Sequence, residues 1–130
     1  RNVIDSHDML PAVGQGALGL EIRSGDTALA AVVRQLIDPV CTGLVSAERS
    51  VSKALGGSCQ VPIAGYATLN DSNSFTLRAL VASPDGKTVI EKSASGSLQG
   101  WQDVSGQVID DLLSKGAQAL IDDAVQQFKG

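Results

Sequence analysis

The chain has 130 residues, is 43% hydrophobic and 18% charged, and carries a formal net charge of −4. That apolar content suits one compact domain with its own core. The acidic balance, with no run of Lys or Arg, speaks against a nucleic-acid partner, which needs clustered cations to displace counterions. No apolar stretch reaches the roughly 18 residues of a membrane-crossing helix, and no signal-peptide pattern opens the chain.

In chain order, residues 10–23, "LPAVGQGALGLEIR", read as an extended strand. Glycines make its first half permissive, and Leu20 and Ile22 alternate with Glu21 and Arg23 in its second half. Asp26 is an N-cap for a short helix over 27–37, with Leu29, Val32, Val33 and Leu36 on one face. Asp38-Pro39 stops that helix, because a residue before proline avoids the helical region. A domain boundary is expected there, dividing 1–38 from 39–130. A second helix over 42–55 has Leu44, Ala47, Val51 and Leu55 at helical spacing, and Gly56-Gly57 ends it.

Three strands are expected next, over 60–69, 75–82 and 87–95. Turn formers in "NDSNS" and "SPDG" separate them. Connections this short imply antiparallel neighbours. From Trp101 the tail is helical, with Trp101, Val104, Val108 and Leu112 on one face. Leu113, Leu120, Ala124 and Phe128 extend the face, and Gly116 is expected to break the helix. The pattern specifies an α+β module: a three-stranded antiparallel sheet with helices on one face. The strand–helix segment ahead of it has no partner in the sequence. Either it adds to the sheet, or its partners belong to a domain outside this chain.

Two cysteines are too few for a disulfide framework, and with one histidine they make no zinc site. Free thiols point to a reducing, cytoplasmic setting. Cys59 stands on a Gly-Gly-Ser turn between a helix and a strand. It reads either as a half-buried cysteine filling the turn or as a presented nucleophile. Its flanking sequence shows no Lys or Arg close enough in the chain to lower its pKa.

The stretch "ERSVSKALGGSCQVPIAG", residues 48–65, resembles the cofactor-attachment signature of the hydroxymethylbilane synthase, or porphobilinogen deaminase, family. "LPAVGQGALGLEIR" is similar to a second hallmark of that family, and "LRALVASPDG" at 77–86 resembles its C-terminal domain. The resemblance implies an enzyme that polymerises porphobilinogen into linear hydroxymethylbilane with release of ammonia, in haem biosynthesis. It implies a dipyrromethane cofactor joined by a thioether to Cys59, with Gln15 and Gly16 lining the cofactor cleft. It also implies two upstream domains that hold the catalytic aspartate and the substrate-binding arginines. The segment 1–38 would then be the strand and helix that return from those domains. Alone, the 130 residues are expected to carry no catalytic residue and no cofactor. In the chain alone, 10–23 is expected to be exposed, disordered or paired with another copy of the chain, whereas the full enzyme is expected to be a monomer.

The remaining candidates have plain readings. His7 has no triad partner nearby and reads as solvated. Cys41 reads as a passive thiol at a helix start. Asp110-Asp111 and Asp122-Asp123 read as the wet face of a helix rather than metal ligands. "GQGALG" lacks the Lys-Ser/Thr of a phosphate loop. Glu48-Arg49 reads as a surface pair of little worth. Two other functions fit less well. One is a non-catalytic α+β docking module with an exposed thiol. The other is a thiol redox protein, for which Cys41 stands too far from Cys59 to match Cys-x-x-Cys.

Overall fold

The computed structural model describes residues 2–56 and 61–129. Its elements are α1 (Thr27–Val33), a 3-10 turn (Arg34–Leu36), α2 (Pro39–Ala54), β1 (Ile63–Leu69), β2 (Ser74–Ala82), β3 (Val89–Ser97), α3 (Trp101–Ser114) and α4 (Ala117–Lys129). The strands form one antiparallel sheet in the order β1-β2-β3. Gly65 faces Ala79 across β1 and β2, and Leu77 faces Ala94 across β2 and β3. The expected α+β class is the observed one.

Alternation along β2 decides the architecture. Phe75, Leu77, Ala79 and Val81 are each fully buried, while Ser74, Thr76 and Arg78 between them are only half-buried. The period of two sends the first set to one face. There they join Ala47, Val51 and Leu55 of α2, Val104, Val108 and Leu112 of α3, and Ala117 and Ile121 of α4 in a single core. Burying each larger aliphatic side chain contributes roughly 1.5–3 kcal/mol. The other face of the sheet is polar. Arg78 binds Glu91 there at 2.7 Å and donates from Nη1 to the Ser6 carbonyl at 3.1 Å.

Two elements differ most from the sequence reading. The second helix starts at Pro39, not at 42, because the Asp38 carboxylate accepts from the amides of Val40 and Cys41. Asp38-Pro39 therefore opens α2 as well as closing the preceding turn; proline suits the first helical position, where its missing N–H is not needed. The tail breaks at Gly116 (φ 95), as the sequence reading expects, into two helices, α3 and α4. Within this chain, the expected strand at 10–23 forms no ladder. Residues 13–16 are a turn, and 17–23 run without regular structure. The side chains of Leu18 (98%) and Leu20 (61%) are exposed, and α1 buries none of its residues.

Close approach fixes the β3–α3 packing. A Cβ on Gly96 would meet Val104 Cγ2 at 2.6 Å. Gly96→Ala should therefore lower stability by about 1–3 kcal/mol, read as a lower urea midpoint. Combined with Val104→Ala it should cost less than the sum of the two single changes. An unchanged midpoint would contradict the packing. The β1–β2 turn has its own lock. Asp71 accepts from the Ser74 hydroxyl at 2.6 Å and from the amides of Asn73 and Ser74. These bonds, the Ser74 hydroxyl first, hold its pKa below 3.8. A depressed pKa stabilises the fold above the unfolded value and loses that effect as pH falls through the folded one. Asp71→Asn should thus lower Tm at pH 7, with the gap closing below about pH 4. A gap that persists unchanged in acid would contradict this.

Candidate functional site

The glycine-rich segment 10–16 runs from the edge of β1 to α2. Pro11 lies beside the free edge of β1, where its carbonyl accepts from the Gly65 amide at 3.2 Å. Leu10 is buried beside it, and Val13 packs over Gly65. The chain then turns at 13–16, with Gly14 at φ 68, in the left-handed region that favours glycine.

Glu48 reaches from α2 to this turn. It is only 6% exposed, the single buried charged residue among those described. Its Oε2 accepts from the Gly14 amide at 2.7 Å and its Oε1 from the Ala67 amide at 2.8 Å. A buried carboxylate is costly without such partners. Two short charge-assisted bonds offset that cost. The expected surface pair with Arg49 is not formed; Arg49 is exposed and makes no ion pair among the described residues. Glu48 was within reach of sequence reasoning. It falls on the apolar stripe Leu44, Val51, Leu55 at helical spacing, and a charge on such a stripe is held by something.

Between the turn and α2 lies an open groove of about 1150 Å³. Val13 and Gly14 line it from the glycine-rich segment, Arg49, Lys53 and Gly56 from α2 and its end, and Trp101 from the start of α3. Arg49 and Lys53 stand one helical turn apart on one face. Neither has an acidic partner among the described residues.

Of the residues singled out in the sequence, Gln15 and Gly16 sit on the turn, and both are exposed. The Gln15 side-chain oxygen accepts from the Ala12 amide at 3.0 Å. It therefore braces the turn, leaving its NH2 group without a partner among the described residues. A Cβ on Gly16 would meet nothing within 4 Å, and neither Gln15 nor Gly16 lines the groove, which Val13 and Gly14 beside them do. Cys59, expected on an exposed or cleft-facing turn, lies outside the described residues; Gly56 is the last one before it. Cys41 is a free, exposed thiol near the start of α2. Asp110, Asp122 and Asp123 are exposed. Among the described residues no three His, Cys, Asp or Glu side chains group to hold a metal. No single helix among them is long and apolar enough to cross a membrane.

The family of this chain is settled by comparison with known proteins. The model for "Porphobilinogen deaminase, C-terminal domain" matches residues 42–114, more than half of the chain. The chain belongs to the porphobilinogen deaminase family. Proteins of that name are similar along nearly all of it. The one from Thiobacillus denitrificans is 43% identical over 122 residues, covering 94% of this chain and 40% of the relative. That from Bacillus velezensis is 44% identical over 119 residues, covering 92% and 37%. That from Paraburkholderia phymatum is 50% identical over 95 residues, covering 73% and 29%. The chain thus spans about two fifths or less of these porphobilinogen deaminases. The similarity runs past the matched domain into the segment that carries Gly14, Gln15 and Gly16, since it covers 94% of the chain.

Proposed function

We propose that this chain is the cofactor-anchoring part of an enzyme that polymerises porphobilinogen into linear hydroxymethylbilane with release of ammonia. In this reading Cys59 carries a dipyrromethane cofactor through a thioether, and Gln15 and Gly16 border the cofactor. The observation that carries the reading is the similarity to porphobilinogen deaminases over 94% of the chain. The geometry supports it, because the residues fit an acidic dipyrrole. The groove reaches Gly56, three residues before Cys59, and its α2 wall offers two cations, Arg49 and Lys53, with no acidic partner among the described residues. Its facing wall includes Val13, Gly14 and Ala17 of the glycine-rich segment.

Each residue then has a definite task. The Cys59 sulfur bonds to the methylene carbon from which the amine leaves, and the thiol proton completes the departing ammonia. A dipyrrole bound there would supply, at its free end, the pyrrole carbon to which further pyrroles are added; Cys59 would hold the opposite end and not turn over. Arg49 and Lys53 offer charge to the acid side chains of the pyrroles. The Gln15 NH2 group can donate to the bound group. The carboxylate and the arginines that act on the incoming pyrrole belong to upstream domains, which are the partner this chain needs, and the reaction is placed in the cytoplasm.

Three proteins test the reading: the 130-residue chain, the same chain joined to the upstream part of the Thiobacillus denitrificans relative, and that chimera with Cys59→Ser. Each is incubated with porphobilinogen, and uroporphyrin formation is followed. The chimera is expected to turn over. The chain alone and the Cys59→Ser chimera are expected at least about a hundredfold lower. Turnover by the chain alone, or turnover indifferent to Cys59→Ser, would refute the assignment.

A further inference from the structure

Glu48 has no part in the chemistry proposed above, yet it is the one charge the described core accepts. Its position explains why. The amides of Gly65 and Ala67 point away from β2, toward the free edge of β1. A neighbouring strand would supply a row of carbonyls there. Pro11 supplies one, to Gly65. Beyond it the chain turns at 13–16 and offers no second carbonyl. Glu48 Oε1 takes the place of that carbonyl at Ala67, and its Oε2 holds the Gly14 amide at the turn. One side chain thus completes the sheet edge and fixes the turn to α2. Pro11 and Val13 hold the segment against β1, and Gln15 ties the turn back to Ala12, but among the described residues only Glu48 bonds the turn to α2.

We infer that Glu48 is a positioning residue for cofactor attachment: its carboxylate holds the turn at Gly14, which with Val13 forms one wall of the groove that reaches Gly56. The inference rests on the cofactor reading above and adds a residue to it. Glu48 acts only through backbone amides. Its removal strips two donors of their partner and lets one wall of the groove move, while α2, with Arg49 and Lys53, stays in place.

Two readouts test this on wild type, Glu48→Ala and Glu48→Gln. The first is amide exchange by NMR in the 130-residue chain. The second is the rate at which the chimera gains the mass of a dipyrrole from limiting porphobilinogen. In Glu48→Ala the Gly14 and Ala67 amides should exchange at least about tenfold faster, with Leu77 and Val81 on β2 unchanged. Mass gain should slow by about tenfold as well. Glu48→Gln keeps one acceptor oxygen and should recover part of both effects. Unchanged Gly14 exchange in Glu48→Ala would overturn the inference, as would faster exchange with mass gain at the wild-type rate. Loss of protection at Leu77 and Val81 in both variants would reduce Glu48 to a fold-stability role and overturn it too. A wild-type chimera that gains no mass would refute the cofactor reading itself, and the role given to Glu48 with it.

Discussion

A buried carboxylate shared by two backbone amides organises this molecule. Glu48 can reach both Gly14 and Ala67 only if α2 crosses the edge of β1 with that side chain turned inward. The Asp38 cap and Pro39 set where α2 begins, and so help to set its phase. Ala47, Val51 and Leu55 then face the sheet, with Glu48 beside them. The outer face of the same helix presents Arg49 and Lys53 to the groove. Core, sheet edge and groove are therefore three consequences of one helix placement. A carboxylate is suited to the edge because its two oxygens can accept from two donors at once, where an apolar side chain would leave both unpaired.

The sheet and its helices were legible in the sequence because their signals are local. Alternation over Phe75, Leu77, Ala79 and Val81 announces a half-buried strand. The helical spacing of Val104, Val108 and Leu112 announces an amphipathic helix. The start of α2 was misplaced because proline was read only as a stop. At the first turn of a helix, after an aspartate, it is equally a start. The segment 10–23 forms no ladder: the alternation at Leu20 and Ile22 says which face a partner would bury, the sequence offers no such partner, none occurs among the described residues, and Leu18 and Leu20 stay exposed.

The candidate site was legible in another way. Gln15, Gly16 and Cys59 were singled out through likeness to a family, and no periodicity marks them. Glu48 was the residue to be found by physics, a charge on an apolar stripe, and it was read instead as half of a surface pair with Arg49. The groove itself could not be read from sequence. It arises from a long-range bond between residues 14 and 48. The exposed apolar side chains of α1 and of 17–23 accord with a chain that is about two fifths of its relatives' length. In the proposed reading the upstream domains cover them.

The account places the cofactor on one sulfur, and peptide mapping tests that directly. After exposure of the chimera to porphobilinogen, trypsin should release Ala54–Arg78, which holds Cys59, and Gln35–Arg49, which holds Cys41. The account predicts the mass of a dipyrrole on Cys59, retained under reducing agent as a thioether requires, with Cys41 unmodified. The mass on Cys41, its loss on reduction, or an unmodified Ala54–Arg78 in an active protein would contradict the account.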